Sequence, residues 1–347
     1  MSSSQIPAPP RILLTGATGF IGGTVLTQLL TSTSPAIQNY PITCLVRGAD
    51  RATKLRDVYG NRVDPVIYRD LDDLETTTAI ASQHDVALRN ARGRTQRKMY
   101  GSSTHPAGQT SADDPSPGGR EFHDEHDDVY AYEVDREAKQ PYIQRSTEIS
   151  VVDGGIELGV KTLVMMAPMI YGVGTGLFNK RSVQIPAFIH TALDNEQAVV
   201  IGEGVGSFDH VHVQDLAELY EILAVKILEG NGKELPSGKK GIIFSSNGHD
   251  SWVNIAKQVA QACHAAGLLS NTDVKHVGLS EGARLFTQSY LGGEADEMMV
   301  ELGLASNSRT VPAVARRLGW KPVRGEEDWK RGFTDDVAAV LQERSKR

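Results

Sequence analysis

The chain has 347 residues with 36 basic and 43 acidic side chains, which gives a formal net charge of −7. This acidic balance argues against nucleic acid or an anionic membrane as a partner, and we expect a partner that is neutral or small. With 40% hydrophobic residues and no uninterrupted apolar span of membrane length, the composition is typical of a soluble globular protein. The length predicts two domains, or one large α/β domain with an appended lobe.

Cysteine usage and the first residues give an expectation about the compartment. Cys44 and Cys263 are the only cysteines, too few for a disulfide scaffold or a cysteine zinc cluster. Residues 1–10 carry neither a secretory nor a transit pattern, and we expect a loose tail there. We therefore expect a reducing, cytoplasmic environment.

A glycine-rich turn follows the first apolar run. Residues 11–15 predict a strand, and apolar residues then recur at helical spacing from Val25 onward. Between them, Gly16, Gly19 and Gly22 carry no side chain that would keep backbone N–H groups away from a pyrophosphate. The pattern of strand, turn and helix favours dinucleotide binding, and a merely tight turn is the alternative.

The second predicted strand, residues 42–46, bears on the choice of cofactor. It ends at Arg47, close to where a carboxylate would bind the ribose hydroxyls of NAD. A guanidinium there suits a 2′-phosphate, so NADP is favoured, with NAD and a solvated loop arginine as the alternatives. Arg51 is a second candidate for the phosphate. Residues 66–68, followed by Asp70 and Leu71, predict a third strand whose end would flank the adenine.

These motifs resemble those of the extended short-chain dehydrogenase/reductases, the NAD-dependent epimerase/dehydratase group, and more loosely those of NmrA-like proteins. The resemblance rests on residues 15–22, 70–71, 102–104, 167–172 and 204–215, together with a tyrosine near position 132. It implies an α/β fold, a Rossmann-type doubly wound parallel sheet with a smaller C-terminal substrate lobe. We expect a tail at residues 1–10, the dinucleotide-binding domain at 11–170 and the substrate lobe, with interleaved Rossmann elements, at 171–347. The predicted cofactor contacts are Gly16, Thr18, Gly19, Phe20, Ile21, Gly22, Arg47, Asp70, Leu71 and Pro168.

The resemblance also implies catalytic residues. In that family a tyrosine exchanges the reacting proton, a lysine four residues later lowers its pKa, and a serine or threonine polarises the substrate oxygen. Tyr132 matches the tyrosine, with a helix-surface or core tyrosine as the alternative. Arg136 stands where the lysine is expected, and an arginine cannot relay a proton. Ser102 and Ser103 are candidates for the polarising hydroxyl, with turn chemistry as the alternative.

The middle of the chain departs from the family pattern. From Asp85 to Thr104 there are 20 residues, where a βαβ unit needs about 30. This shortage casts doubt on the crossover helix and on a stable dimer, and we expect a monomer or a weak homodimer. The acidic stretch 123–128 contains two histidines, and we interpret it as a hydrated loop with no metal.

The second half supplies further elements. Ile143, Ile149, Val152 and Ile156 predict a helix, and residues 162–166 predict a buried strand. The glycine loop at 171–179 is predicted to line the substrate cleft, with a plain connector as the alternative. Asp215 is predicted to cap the helix that follows it.

The resemblance also bears on the substrate. In nucleotide-sugar enzymes of this family an arginine precedes the aspartate that corresponds to Asp209, but here the preceding residue is Phe208. A small organic carbonyl or alcohol is therefore the favoured substrate. The leading hypothesis is an NAD(P)-dependent oxidoreductase. The alternatives are an epimerase or dehydratase that retains its cofactor and a cofactor-sensing protein without turnover.

Overall fold

The computed structural model describes residues 11–70, 73–88 and 120–345, which divide into two compact units. Unit 1 takes the described residues of Met1–Asn90 with Gly174–Lys180 and Ala217–Leu235. Unit 2 takes those of Ala91–Val173, Arg181–Leu216 and Pro236–Arg347. The domain boundary at residue 170 stays a prediction. The expected tail and most of the short segment between Asp85 and Thr104 lie outside the described residues.

Unit 1 is built on one parallel sheet. Its elements are β1 (Ile12–Thr15), α1 (Phe20–Thr31), β2 (Ile42–Val46), α2 (Ala49–Tyr59), β3 (Val63–Ile67), α3 (Leu74–Ala81) and β4 (Val86–Leu88). The strand order is β3-β2-β1-β4, and every neighbouring pair is parallel. All four residues of β1 are buried, as expected for a central strand covered on both faces. The predicted α/β class with a Rossmann-type parallel sheet is confirmed.

The third strand starts earlier than the sequence predicts. β3 pairs Val63 through Ile67 with β2, although Asp64 and Pro65 interrupt its apolar pattern. Because β3 is the edge of the described sheet, it tolerates a proline that cannot donate to a further strand. The prediction of residues 66–68 therefore found only the end of this strand.

Unit 2 combines short strand pairs with helices. Its first elements are β5 (Glu121–His123), α4 (Val129–Lys139), α5 (Ile143–Leu158), β6 (Val164–Met166), β7 (Met169–Tyr171), α6 (Gln184–Asp194), β8 (Ala198–Ile201) and β9 (Ser207–His212). Helix α7 (Val213–Gly230) follows, and its residues from Ala217 onward belong to unit 1. The remaining elements are β10 (Ile242–Phe244), β11 (His249–Ser251), α8 (Trp252–Ala265), β12 (Val274–Val277), α9 (Leu279–Phe286), a π-helical turn (Thr287–Leu291), α10 (Glu297–Leu304), β13 (Arg309–Val311), α11 (Ala313–Arg317) and α12 (Glu326–Arg344).

The strands of unit 2 form small groups around an aromatic core. β6 pairs with β10, β8 with β12 and β5 with β13, all parallel, while β9 lies between parallel β7 and antiparallel β11. The larger core cluster contains Trp252, Phe188, Phe286 and Trp329, all fully or nearly fully buried. Helix α8 buries Val259 and Cys263 in this cluster.

Helix α5 forms where its apolar residues predict a helix, but it also buries polar side chains. Ile143 and Ile156 are about half exposed, whereas Arg145 and Glu148 are buried. The side chain of Arg145 lies against α4, where its Nε donates to Glu133 Oε2 at 2.9 Å. A buried ion pair therefore joins α4 and α5, and apolar spacing did not reveal it.

The prediction that Asp215 caps α7 is wrong. The helix begins two residues earlier, at Val213, and the carboxylate of Asp215 is fully buried. It accepts hydrogen bonds from the backbone N–H and the guanidinium of Arg324, at 3.0 and 2.5 Å. The side chain therefore holds the segment before α12 and leaves the helix N-terminus uncapped by this residue.

Candidate functional site

The turn between β1 and α1 has the geometry that its glycines predict. Gly16 has φ +73°, a conformation that favours glycine, and its carbonyl accepts the N–H of Gly19 at 2.8 Å. A Cβ added to Gly19 would lie 3.2 Å from that carbonyl oxygen. Helix α1 then begins at Phe20, so its first backbone N–H groups, which have no partner within the helix, lie next to this turn.

A buried hydroxyl beside this turn bears on whether a ligand could bind there. Thr15 is the last residue of β1, and its Oγ1 is buried without a hydrogen-bond partner in the described part of the chain. Buried polar groups are normally paired, and the carboxyl ends of parallel strands are where such sheets bind ligands. The orphaned hydroxyl, the uncapped helix start and the glycine turn together fit an anionic dinucleotide.

Three cations follow β2. Arg47 comes directly after the strand, and Arg51 and Lys54 follow at spacings of four and three residues, which place the last two on one face of α2. All three side chains are exposed, and none has an ion pair within the described ranges. In a chain of net charge −7, these exposed cations are the residues near β2 that could hold an anion.

The glycine loop lies on helix α1. We call Gly174–Lys180 the strap, and it belongs to the same compact unit as the glycine turn. The N–H of Thr175 donates to Thr24 Oγ1 at 3.2 Å, and Thr27 Oγ1 donates to the carbonyl of Thr175 at 3.3 Å. The strap therefore packs against α1, and whether it also lines a substrate cleft stays a prediction.

The strap approaches α1 as closely as backbone allows. A Cβ added to Gly176 would lie 2.7 Å from the Cα of Gly23, so any side chain at position 176 would force the two segments apart. At the end of the strap, the N–H of Asn179 donates to the carbonyl of Thr18 in the glycine turn at 3.4 Å. The strap thus borders the turn on which the candidate site is built.

The other predicted cofactor contacts are placed as follows. Phe20, Ile21 and Gly22 are buried in the first turn of α1. Asp70 is half-buried after β3, and Leu71 lies outside the described residues. Pro168 is buried between β6 and β7, in unit 2. The roles of these residues as cofactor contacts stay predictions.

Of the predicted catalytic residues, the two that the structure describes fall in unit 2. Tyr132 and Arg136 lie one turn apart on α4, which the side chain of Asp128 caps by accepting the N–H of Ala131. The Tyr132 ring is half-buried, with its centroid 4.7 Å from that of Phe122. Arg136 is buried, and its Nη2 donates to Gln140 Oε1 at 3.0 Å. Ser102 and Ser103 lie outside the described residues.

Burial shifts the pKa values of several ionisable groups of unit 2, and the sequence alone did not predict these shifts. Burial raises the pKa of Glu133 to about 7, even though Arg145 opposes the shift. Burial likewise raises the pKa of Asp209 to about 8, and its carboxyl accepts both the N–H and the hydroxyl of Thr310. His210 is stacked on Trp329 at 3.9 Å between ring centroids, and burial lowers its pKa to about 3. These groups follow from tertiary packing, for which the local sequence carries no signal.

The acidic stretch 123–128 is occupied by backbone contacts. Asp124 accepts the N–H groups of Phe244 and Val314, at 2.9 and 3.1 Å, and Asp127 accepts the N–H of His123. Within the described ranges, no three His, Cys, Asp or Glu side chains are placed to hold a metal ion.

In the same ranges, no helix is long and apolar enough to cross a membrane.

The parallel sheet and the glycine turn are typical of a Rossmann-type fold, and comparisons with known proteins agree with this fold. Residues 14–93 match the family model described as male sterility protein, an NAD-binding family. A curated relative, the oxidase ucsJ of Acremonium sp, is 27% identical over 341 residues, covering 90% of this chain and 93% of the relative.

Solved structures match over nearly the whole chain. Gre2 from Candida albicans gives a TM-score of 0.57 at 12% identity, covering 96% of this chain and all of that one. Vestitone reductase from alfalfa gives 0.54 at 16% identity, covering 96% and 99%. The dTDP-glucose 4,6-dehydratase of Bacillus anthracis, solved with NAD, gives 0.53 at 12% identity, covering 96% and 97%. At these identities the likeness shows the fold, and the predicted resemblance to extended short-chain dehydrogenase/reductases is confirmed.

Proposed function

We propose that the chain is an NAD(P)-dependent oxidoreductase of the extended short-chain dehydrogenase/reductase type, acting on a small organic carbonyl or alcohol. The observation that carries the proposal is the glycine turn, together with the Thr15 hydroxyl just before it, which is buried without a hydrogen-bond partner in the described part of the chain. Support also comes from the curated oxidase, and from structural neighbours that were solved in complex with NAD.

The residues of unit 1 divide the work of binding the cofactor. The N–H groups that follow Gly16 and Gly19 hold the pyrophosphate, and the positive end of α1 favours its charge. Arg47 and Arg51 bind the adenosine 2′-phosphate, so NADP(H) is preferred over NAD(H). Lys54, three residues after Arg51 and likewise without an ion pair in the described part, adds a third positive charge. When bound, the nicotinamide ring supplies or accepts a hydride.

The predicted catalytic residues act on the proton and the substrate oxygen. Tyr132 is the proposed acid or base, and Ser102 or Ser103 orients the oxygen. The buried guanidinium of Arg136, one helical turn from Tyr132, favours the tyrosinate by its charge and does not itself exchange a proton. We therefore expect slower proton transfer than in an enzyme that has a lysine at this position.

The environment of Phe208 favours a substrate without a nucleotide diphosphate. Its ring is 3% exposed and packs against Trp252 at 4.9 Å between centroids, so position 208 offers no cation to a diphosphate. A small uncharged carbonyl compound needs no cation at this position. The monomeric or weakly dimeric state and the cytoplasmic location stay predictions.

A second candidate is a cofactor-sensing protein without turnover. The observation that favours it is Arg136, which replaces the lysine of the proton relay and donates to Gln140 from a buried position. The two candidates share the cofactor site and differ in chemistry. If NADPH binds and none of the substrates offered leads to its oxidation, the sensor is favoured.

The experiment combines binding with turnover. Titration calorimetry with NADPH and NADH measures both affinities, and the absorbance of NADPH then follows its oxidation against a panel of aldehydes and ketones. We expect tighter binding of NADPH and turnover of at least one small carbonyl compound. Binding of neither dinucleotide would refute the proposal. A dinucleotide retained through purification, with no net oxidation, would point to the epimerase or dehydratase alternative.

A further inference from the structure

The strap contacts the cation group as well as helix α1. The Lys54 ammonium lies 5.3 Å from the centroid of the Phe178 ring, within the range of a cation–π interaction. Phe178 is half-buried and is the residue just before Asn179, whose N–H donates to Thr18 in the glycine turn. A single short segment therefore joins the glycine turn to the ammonium group of α2.

This contact limits the freedom of a flexible side chain. Lysine has four rotatable bonds, and ordering its ammonium at a ligand costs conformational entropy. The Phe178 ring covers one side of the ammonium group. The ammonium has three N–H donors, so donors on its other sides can still bind phosphate oxygens. No carboxylate in the described ranges pairs with Lys54, so the ring is the contact that orients it.

The strap itself is fixed in place, which makes Phe178 a suitable anchor. Thr175 is bonded in both directions to α1, and the N–H of Gly174 donates to the carbonyl of Lys180, closing the segment on itself at 2.9 Å. The ring is thereby carried by a segment that cannot shift without breaking contacts to α1 and to the glycine turn.

We propose that Phe178 is a positioning residue that holds Lys54 toward the adenosine 2′-phosphate of NADP(H), so that the strap takes part in choosing between NADPH and NADH. The inference rests on the proposed function and assigns to unit 1 a specificity element far along the chain from the β2 end. Because NADH has no 2′-phosphate, the contribution of Phe178 belongs to NADPH alone.

The test measures the ratio of two affinities. Dissociation constants for NADPH and NADH, and for the fragments 2′,5′-ADP and 5′-AMP, are measured for the parent chain and four variants. The variants are Phe178→Leu, Phe178→Tyr, Lys54→Met and the double variant that combines Phe178→Leu with Lys54→Met. We expect Phe178→Leu to weaken NADPH and 2′,5′-ADP by about 2- to 5-fold, the equivalent of a typical cation–π contact, and to leave NADH and 5′-AMP unchanged. Phe178→Tyr keeps an aromatic face and should retain the ratio of the parent.

The double variant separates positioning from packing. If Phe178 acts through Lys54, adding Phe178→Leu to Lys54→Met should have no further effect on the NADPH affinity. Equal weakening of NADPH and NADH by Phe178→Leu would show a merely structural strap and overturn the inference, as would full additivity in the double variant. A parent chain that prefers NADPH, together with an inert Phe178→Leu, overturns this inference alone. A parent chain with no preference for NADPH overturns the proposed cofactor choice as well.

Discussion

Arg47 is the residue on which the cofactor preference most depends. It follows β2, is exposed and has no ion pair in the described part of the chain, so its guanidinium is available to a phosphate. Arg47→Asp places a carboxylate where it can bind ribose hydroxyls and repel a 2′-phosphate. We expect the ratio of NADH to NADPH dissociation constants, measured by calorimetry, to fall at least about tenfold, the equivalent of about 1.4 kcal/mol.

Lys321→Asp is the control for net charge, since Lys321 is exposed in unit 2 and the substitution changes the charge equally. It should leave the ratio unchanged. Equal affinities for the two dinucleotides in the parent chain would contradict the role assigned to Arg47.

Tyr132 carries the proposed proton transfer. Tyr132→Phe removes only the hydroxyl and keeps the ring that packs against Phe122, so the helix should be preserved. We expect turnover to fall by about 100-fold or more, with the NADPH dissociation constant unchanged. Single-turnover hydride transfer, measured on any carbonyl compound that reacts, checks this expectation.

Tyr130→Phe is the matched control on the same helix. Its hydroxyl donates to Asp153 at 2.5 Å, and that bond raises the pKa of Tyr130, so this tyrosine has a structural partner. Its loss should cost stability and leave turnover close to that of the parent. Full activity in Tyr132→Phe would refute the mechanism.

For single residues, the sequence predicted features that depend on neighbouring residues and did not predict contacts between distant ones. The positions of Gly16 and Gly19 in a turn follow from a few neighbouring residues, because one strand, one turn and one helix determine them. The pairing of Lys54 with Phe178, or of Glu133 with Arg145, joins residues whose proximity depends on the packing of separate segments. Such contacts decide pKa values and side-chain orientation, and periodicity carries no information about them.

Elements with continuous apolar patterns were predicted well, and those with polar interruptions were not. β1 and β2 match their predicted ranges closely because both are buried in the middle of a parallel sheet. β3 was found only in part, since an edge strand tolerates Asp64 and Pro65. The misplaced start of α7 has the same origin, because a buried Asp215 that binds Arg324 resembles a helix cap in sequence alone.

The glycine turn is the element whose integrity the cofactor site requires. Gly19 has φ −91° and ψ 175°, values that alanine also adopts, so Gly19→Ala should fold. The added methyl group would crowd the Gly16 carbonyl at 3.2 Å and stand where a phosphate must approach. We expect NADPH affinity, measured by calorimetry, to drop at least about tenfold, or about 1.4 kcal/mol.

Gly230→Ala provides the comparison within unit 1. Gly230 is the last residue of α7, and a Cβ there would meet nothing within 4 Å. This variant should bind NADPH as the parent does. If Gly19→Ala also binds normally, the turn is structural and the cofactor site lies elsewhere.

For the molecule as a whole, buried carboxyls tie the stability of unit 2 to pH. Burial raises the pKa values of Glu133 and Asp336 to about 7 and that of Asp209 to about 8. Between the ordinary pKa of a carboxyl group and these values, the unfolded chain releases a proton that the folded chain keeps. The contribution of these groups to the free energy of unfolding therefore decreases as the pH rises from about 4 to about 8, and the folded chain becomes less stable.

Asp336 gives the cleanest test of this coupling. Its carboxyl is buried on α12, and the hydroxyl of Ser182 donates to it at 3.3 Å. With an ordinary pKa of 3.8 and a folded value of about 7, the penalty for ionising this group grows over that window and is constant above it. Asp336→Asn imitates the protonated acid and cannot ionise, so we expect its melting temperature to exceed that of the parent at about pH 8 by about 3 °C or more.

The sign of the pH dependence makes this expectation specific. Lowering the pH to about 5 should shrink or reverse the advantage of Asp336→Asn, because the parent carboxyl is then protonated in the folded state and incurs little of that penalty. Asp273→Asn removes the same charge at an exposed position before β12 and should leave the difference from the parent independent of pH. Thermal melts of the three proteins from about pH 5 to about pH 8 measure both trends. An advantage for Asp336→Asn that is equal at both ends of the range would mean that Asp336 ionises in the folded chain as readily as in the unfolded one.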